Sequence, residues 1–387
     1  MRRKTSALML FLTLVSGLWM SAAITVGQLP EELVVHRSGS AQLNTFLPVS
    51  VDIGDGYPDS ADAKLFGMVG VKKVGIRREE PKRVILAGTL FGLRMFSDGV
   101  MVVGLADFAS GGKKVNPARD AGISRGDVIR KADGKRIYTN EAFAKAVSRS
   151  DGAVTLEVTG KDGQSRSIRL TPATSDSDGS LKTGMWIRDS AAGIGTLTYI
   201  DPESGIFGGL GHGICDADTR EIVPVHDGEI VSANISGIKR GVRGSAGEIR
   251  GYLSGDTLGK LENNTVCGAF GSFTSDMPAS REYDVALKQE VRQGKAKLMC
   301  SVEPDGKPRM YDVVINRINY GGNPAKNMII TVTDKKLLEK TGGIIQGMSG
   351  SPLVQDGKFI GAVTHVFVND PASGYAIFAE NMIGQQN

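Results

Sequence analysis

The sequence has few of the residues that usually form disulfide frameworks and metal sites. Its 387 residues include three cysteines, Cys215, Cys267 and Cys300, and only four histidines. An odd number of cysteines excludes a fully paired framework, and without a Cys-x-x-Cys pair a structural zinc site is not expected. Whether two of the three thiols form one disulfide stays open. The sequence therefore predicts no metal site.

An excess of charge of one sign is also lacking. The chain has 46 basic and 42 acidic residues, and no run of basic residues is interleaved with aromatic ones. Nucleic-acid-binding proteins usually show such a basic surface, so we expect no nucleic-acid partner. Hydrophobic residues make up 41 % of the chain, enough for two or three domains with buried cores.

Proline is scarce, with 14 residues, whereas glycine is abundant, with 51. Short strands joined by tight turns explain this balance better than long helices do. From residue 184 onward, strand-like runs alternate with turn residues, which is typical of a barrel or a sandwich. We therefore predict a mainly β protein.

The N-terminus has no charge between Thr5 and Pro30, after basic residues at positions 2–4. An apolar run of this length behind basic residues is typical of a signal peptide or a single membrane anchor. We assign residues 1–27 to such a helix, which would export the rest of the chain. Residues 28–82 are predicted to form a short β segment and tether.

Residues 83–172 form one predicted α+β unit. It contains two strands, the run NPARDAGISRGDVIR at 116–130, and a helix over 141–148 that Asn140 can cap. The order resembles a PDZ domain. That resemblance implies that a loop of Leu90, Phe91, Gly92 and Leu93 binds a peptide C-terminus through backbone N–H groups. These residues would also suit a plain core. A polar linker over 173–183 is predicted to separate this unit from a peptidase domain at 184–387.

The strongest chemical signal is the run GGIIQGMSGSPLV at 342–354. Glycines permit tight turns and leave backbone N–H groups uncovered. Ser349 in this setting is a candidate nucleophile, and the N–H groups of Gly347 and Ser349 are candidates for the oxyanion hole. The alternative is a simple turn before a hairpin.

His212 lies among four glycines, at 208, 209, 211 and 213, where its neighbours provide no side-chain packing. We predict that it is the general base for Ser349, the alternative being an ordinary turn histidine. A carboxylate should orient the imidazole, and three candidates remain open: Asp334, Asp284 and Asp216. Asp334 could instead cap a helix over 335–340.

The order His, Asp, Ser and the run after Ser349, which includes a predicted two-residue turn at Asp356 and Gly357, resemble the chymotrypsin class of serine proteases. Asp284 lies in a segment similar to the one that carries the aspartate of that class. The resemblance implies that residues 361–366 form the strand that pairs with substrate, and that Gly343 is the floor of an uncharged pocket.

Four further runs resemble the stage IV sporulation protein B family of serine peptidases: WIRDSAAGIGTLT at 186–198, LGHGICD at 210–216, TGGIIQGMSGSP at 341–352 and GAVTHVFVNDP at 361–371. The resemblance implies an anchor, a PDZ domain and a C-terminal β-barrel peptidase. It also implies a triad of His212, Asp334 and Ser349, and no metal or organic cofactor.

The family resemblance further implies secretion across the forespore membrane into the space between two membranes, and self-cleavage near the N-terminus. The peptidase would then cut a membrane-bound regulator of an intramembrane protease, so that a late sigma factor becomes active in the mother cell. The PDZ domain would recognise the substrate or another copy of the chain. Two alternatives remain: a PDZ adaptor with a protease-like domain that does not cut, and a general quality-control serine protease outside the cytoplasm.

Overall fold

Strands dominate the fold, as the glycine-rich sequence predicts. The computed structural model describes residues 2–54, 58–277 and 281–385. In these ranges the helices are α1 Arg2–Gln28, α2 Pro117–Asp120, α3 Asn140–Ser148, α4 Lys335–Thr341 and α5 Ala379–Ile383, with a 3-10 turn at Lys288–Glu290.

The strands of the first half are β1 Glu32–Val35, β2 Gly39–Leu43, β3 Val49–Ile53, β4 Ser60–Leu65, β5 Val69–Arg78, β6 Arg83–Leu105, β7 Phe108–Ser110, β8 Lys113–Val115, β9 Val128–Ala132, β10 Lys135–Arg136, β11 Val154–Thr159, β12 Ser165–Leu170, β13 Ala173–Thr174 and β14 Leu181–Lys182. Those of the second half are β15 Met185–Ile200, β16 Ile206–Gly209, β17 Val225–Lys239, β18 Glu248–Thr265, β19 Gly268–Phe273, β20 Glu282–Asp284, β21 Gly294–Cys300, β22 Arg309–Ile318, β23 Met328–Val332, β24 Pro352–Gln355, β25 Lys358–Phe367 and β26 Asp370–Phe378.

The N-terminal helix α1 leads into a sheet with the strand order β1-β5-β4-β3-β2. The last turns of the helix are tied to this sheet, because Thr25 Oγ1 accepts the Leu47 N–H at 3.2 Å and Gln28 Oε1 accepts the Phe46 N–H at 3.0 Å. Within the described ranges, no helix combines the length and the apolar character that crossing a bilayer requires. The role of residues 1–27 as signal or anchor stays a prediction.

Six strands form a closed ring that we call the first barrel. In this ring β6 pairs with β15, and the pairing continues through β16, β19 and β18 to β17, which pairs with β6 again. Buried Phe91, Phe207 and Ile230 are among the residues that fill its interior. The first barrel therefore takes its opening strand from residues that the sequence analysis assigned to the PDZ unit.

The prediction of a peptide-binding loop at residues 90–93 is wrong. These residues lie in the middle of β6, with β15 on one edge and β17 on the other, so their backbone groups are used within the sheet. The side chains of Leu90, Phe91 and Leu93 are 7 %, 0 % and 3 % exposed. Gly92 lets the Leu253 side chain pack close to β6, because a Cβ there would lie 2.1 Å from Leu253 Cδ2. In sequence, a glycine that serves close packing inside a strand therefore looked like a loop glycine.

The second half of β6 and the first half of β15 belong to a smaller layer with the order β12-β11-β9-β6-β15. Helix α3 covers it through buried Phe143 and Val147. The predicted helix is present, but its N-cap is Thr139, whose side chain accepts the Ala142 N–H at 3.1 Å.

The predicted linker over 173–183 contains the paired strands β13 and β14. PDZ character stays a prediction for this layer.

The C-terminal region forms the second barrel, which is closed in the order β21-β22-β23-β26-β25-β24. Its strand β23 shows the alternation of buried and half-buried residues expected of a barrel wall. Asp356 and Gly357, with φ angles of 50° and 79°, form the tight turn predicted between β24 and β25. This barrel confirms the mainly β prediction and a β-barrel in the C-terminal region.

Candidate active site

A cavity of about 460 Å³ lies where the two barrels meet. The first barrel contributes the edge of β15 and the loop after β16, and the second contributes the loop before β24 and part of β25. Its lining residues are Leu93, Ala192, Gly193, Ile194, Gly195, Leu210, His212, Gly213, Ile214, Cys215, Arg220, Gln346, Gly347, Ser349 and His365. The structure thus brings the predicted base and the predicted nucleophile into one cavity.

Ser349 is held between the two barrels by its backbone. Its carbonyl accepts the Thr196 N–H at 2.9 Å, and the Thr196 hydroxyl donates to the Gly347 carbonyl at 2.8 Å. The Ser349 hydroxyl donates to the Thr364 carbonyl at 2.8 Å. Within the described ranges it makes no hydrogen bond to His212. The nucleophile is therefore turned toward β25 in this conformation.

The loop around Ser349 leaves two backbone donors free. The N–H groups of Met348 and Gly350 donate to the carbonyls of Ile345 and Val363, at 3.1 Å and 2.8 Å. Among the described residues, the N–H groups of Gly347 and Ser349 have no acceptor. The φ of +97° at Gly347 is disfavoured for other residues, so the glycine permits this arrangement. Both N–H groups predicted for the oxyanion hole are therefore available to bind an oxyanion.

His212 is half-buried in the loop that follows β16. Its Nδ1 lies 2.9 Å from the Gly213 carbonyl oxygen. Since a carbonyl can only accept, Nδ1 carries the proton and Nε2 keeps its lone pair. Burial lowers the pKa of His212, and the bond to Gly213 only partly offsets this effect. At neutral pH the ring is therefore neutral and able to accept a proton through Nε2.

Asn264 at the end of β18 fixes the backbone of this histidine loop. Its Oδ1 accepts the Ile214 N–H at 2.8 Å, and its Nδ2 donates to the carbonyls of Ile214 and Val223 at 2.8 Å and 2.9 Å. Sequence reasoning missed this residue, because the pair Asn263 and Asn264 before a glycine-containing turn is typical of an ordinary hairpin. Its role depends on contacts 50 residues apart in sequence.

His365 on β25 was also missed as a site residue, since it lies in an apolar strand. Its ring centroid is 4.8 Å from that of His212, with the planes inclined by 38°. Partial burial, together with His212 and Lys326, lowers the pKa of His365 to about 4, although the residue as a whole remains exposed. A neutral imidazole thus packs beside His212.

In this structure the carboxylate of Asp334 has partners other than His212, and its role in the triad stays a prediction. Asp334 is the N-cap of α4, where its Oδ1 accepts the Leu337 N–H at 3.1 Å. Its Oδ2 lies 3.4 Å from the backbone N of Asp312. The residue does not line the cavity. The capping alternative is confirmed, because the short helix needs an acceptor for its first free N–H groups.

The other two carboxylate candidates also have different partners. Asp284 is exposed on β20 and pairs with Arg83 at 3.3 Å. Asp216 is buried and pairs with Arg188, while its Oδ1 accepts the N–H groups of Asp218 and Thr219. Neither residue lines the cavity. In this structure the Gly213 carbonyl fixes the tautomer of His212, the task that a carboxylate has in a catalytic triad.

Two further expectations from the chymotrypsin resemblance have different outcomes. Gly343 is buried, and a Cβ there would lie 2.1 Å from the Pro371 carbonyl oxygen, so it packs against backbone and does not line the cavity. The predicted substrate strand is part of β25, and His365 on it faces the cavity.

The three cysteines are unpaired, with Cys215 exposed at the cavity and the other two buried.

Comparisons with known proteins identify one family for this chain. No curated protein sequence matches the chain. Among solved structures, it is similar to inactive Rv3671c from M. tuberculosis H37Rv, a serine-to-alanine mutant, with 15 % identity and a TM-score of 0.29. That match covers 50 % of this chain and 79 % of the other. Residues 179–383, more than half of the chain, match the family described as SpoIVB peptidase S55. The protein belongs to the SpoIVB peptidase S55 family, and it is a serine peptidase of that family.

Proposed function

We propose that the protein is an endopeptidase that cuts polypeptides at Ser349, with His212 as the general base. The observation that supports this most is the combination in one cavity of a serine hydroxyl, an imidazole and two backbone N–H groups. Among the residues that the structure describes, the imidazole Nε2 and both N–H groups have no hydrogen-bond partner. Those are the parts that acyl transfer requires. No metal or organic cofactor enters this mechanism.

In the proposed reaction the Ser349 hydroxyl first rotates away from the Thr364 carbonyl. Its oxygen attacks the substrate carbonyl carbon while His212 Nε2 takes its proton. The N–H groups of Gly347 and Ser349 bind the resulting oxyanion. Protonated His212 then gives the proton to the leaving amine as the peptide bond breaks. A water molecule, activated by His212, hydrolyses the acyl-enzyme by the same steps.

The proposed biological role is signalling during sporulation. The chain would be exported across the forespore membrane, held or released through α1, and cleaved by itself near the N-terminus. It would then cut a membrane-bound regulator of an intramembrane protease, so that a late mother-cell sigma factor is activated. The layer under α3 would act as a PDZ-like module for the substrate or another copy of the chain. Family membership supports this role.

A second candidate is an adaptor that no longer cuts. The hydrogen bond from Ser349 to Thr364, with none to His212 among the described residues, favours it. The two candidates differ in whether the hydroxyl can be activated.

Labelling with a fluorophosphonate probe tests the proposed function, because the probe reacts with activated serine hydroxyls. The full chain should be labelled and should cut denatured, carboxymethylated α-lactalbumin. Ser349→Ala should lose both reactions while keeping its circular dichroism spectrum. Ser254→Ala, which changes a β18 serine outside the cavity, is the matched control. Absence of labelling and of cutting in the unmodified chain would support the adaptor.

A further inference from the structure

Two turns lie side by side at one end of the N-terminal sheet. The turn over 44–48 connects β2 to β3, and the turn over 66–68 connects β4 to β5. Strands β3 and β4 pair up to this end, and the Phe66 N–H donates to the Pro48 carbonyl at 2.9 Å. The two turns therefore form one surface. Together with Val69, the first residue of β5, we call it the sheet tip.

The sheet tip exposes large apolar side chains and contains no charged residue. Phe46, Phe66, Met68 and Val69 are 62 %, 50 %, 80 % and 58 % exposed. The remaining residues of the two turns are Asn, Thr, Leu, Pro and Gly. Small and polar residues dominate most turns, and a cluster of exposed apolar side chains usually marks an interaction surface. The composition of the sheet tip thus indicates a partner.

The backbone of the turn over 66–68 provides an independent observation. The Met68 N–H donates to the Leu65 carbonyl at 3.1 Å, and the two residues between them, Phe66 and Gly67, have φ angles of +54° and +73°. These are the features of a type I′ turn, which favours Asn or Gly at the position of Phe66. A bulky residue with a positive φ weakens the turn, and the half-exposed ring recovers little of this cost in the core. A phenylalanine is favourable here only if a further apolar surface covers its ring.

Helix α1 indicates what that surface is, because it meets the sheet at the same tip. The Thr25 and Gln28 side chains accept the N–H groups of Leu47 and Phe46. The helix has no charged residue between positions 9 and 24, and its exposed side chains there include Met9, Leu12, Leu14, Leu18, Trp19, Met20 and Ile24. The sheet tip therefore continues the apolar surface of a helix of 27 residues, which is about 40 Å long. A surface of this extent exceeds the apolar patches of ordinary monomeric proteins and matches a lipid bilayer.

We propose that the sheet tip is a membrane-contacting surface, in which Phe46, Phe66, Met68 and Val69 insert into the interfacial layer of a phospholipid bilayer beside α1. Because the tip is uncharged, the apolar part of the lipid and not the headgroup charge provides the contact. This interaction goes beyond the proposed peptidase function and does not depend on Ser349.

The contact would hold the second barrel at the membrane surface. The N-terminal sheet and this barrel share one apolar core, to which Leu43 contributes from the sheet and Val313 from the barrel. The Asn44 N–H of the sheet tip also donates to the Tyr320 hydroxyl at 2.9 Å. The barrel whose loop carries Ser349 would therefore have a fixed orientation relative to the bilayer.

Fluorescence quenching by lipid tests the proposal with the full chain. Trp19 and Trp186, both exposed, are replaced by phenylalanine, and Met68→Trp then provides a single reporter in the sheet tip. In phosphatidylcholine vesicles with bromine on the acyl chains near the headgroup, the emission of this reporter should be quenched and shifted to shorter wavelength. Phe96→Trp in the same background is the matched control, because Phe96 is a half-exposed aromatic residue of β6 in the first barrel. Its emission should not change.

Phe66→Asn separates lipid contact from the stability of the turn. Asparagine is favoured in a type I′ turn, so the melting temperature should not fall. Because the apolar ring is lost, the ratio of inserted to withdrawn sheet tips should fall about tenfold, with a matching loss of quenching for the reporter at position 68. Phe96→Asn removes a ring of nearly equal exposure and should leave that quenching unchanged.

Three results would overturn the proposal. Equal emission of the Met68→Trp chain in brominated and unbrominated vesicles would show that the sheet tip stays in water. Quenching that requires anionic lipid and disappears in about 1 M salt would show a contact with headgroup charge instead of an apolar one. Crosslinking of two copies that Phe66→Asn abolishes, without quenching in vesicles, would show that a second copy of the chain covers the tip.

Discussion

The two loops that meet in the cavity are built in different ways. The turns in the loop of Ser349 come from its own glycines, because positive φ angles at Gly347 and Gly350 turn the chain and two N–H groups keep no acceptor among the described residues, while Thr196 fixes the loop in place. The loop of His212 depends on remote groups, since Asn264 holds its backbone and His365 packs against its ring. The residues that shape the nucleophile loop are visible in sequence, whereas the residues that support the base are not.

Gly347→Ala should have the largest effect and should damage the locally built loop. Alanine disfavours a φ of +97°, so the N–H of residue 347 should move out of place. We expect kcat/KM to fall about 10²–10³-fold, as for loss of one oxyanion donor. Gly357→Ala is the control, because it places the same residue at a φ of +79° in an open turn outside the cavity. Comparable losses in both variants would contradict the oxyanion role.

Asn264→Ala should damage the remotely supported loop by a smaller factor. It removes one acceptor and two donors from the backbone around Ile214, and we expect kcat to fall roughly 10–100-fold, the range for a misplaced catalytic group. Asn263→Ala, at the neighbouring exposed position, is the control. Fluorophosphonate labelling should slow in parallel with kcat while KM changes little. An unchanged labelling rate at normal stability would show that Asn264 is structural only.

The pH dependence should report His212 directly. Burial lowers its pKa below the usual 6.5, so the base should stay neutral, and kcat/KM should keep its plateau, to below pH 6.5. Because the pKa of His212 is lower in the folded than in the unfolded chain, the unfolded chain takes up the proton at a higher pH. Stability should therefore fall as pH decreases from about 6.5 toward the folded pKa. The check is kcat/KM measured from pH 4 to 9. If kcat/KM already falls as the pH is lowered from 8 to 7, the buried, neutral base is contradicted.

Asp334→Asn should have the smallest effect on activity, and it separates helix capping from catalysis. Asparagine caps helices about as well as aspartate, so stability should change by under about 1 kcal/mol and kcat by little. Asp334→Ala should instead lower the free energy of unfolding by about 1 kcal/mol. A triad aspartate replaced by asparagine typically costs about 10⁴ in kcat. A loss of that size with normal folding would restore Asp334 to the triad.

Sequence reasoning worked where a short run determines its own geometry. The Ser349 loop and the tight turn at Asp356 and Gly357 were predicted from local residues. It failed where tertiary packing decides the outcome. Gly92 indicated a loop although it permits close packing inside β6, and Asp334 matched a triad position although the start of α4 uses its carboxylate. The contributions of Asn264 and His365 depend on contacts between distant segments, which no local pattern contains.

The smaller layer and the first barrel share two long strands, β6 and β15. Both strands continue from beneath α3 into the barrel wall, with register shifts between residues 186 and 190, and Arg188 on β15 also pairs with Asp216 just after the histidine loop. From Met185 to Ile194 a strand spans roughly 30 Å at the usual rise per residue. A ligand bound beneath α3 would thus lie on the same two strands that reach the cavity through Leu93 and residues 192–195. A cut between the two units would sever both strands, so the two pieces are not expected to fold as independent domains.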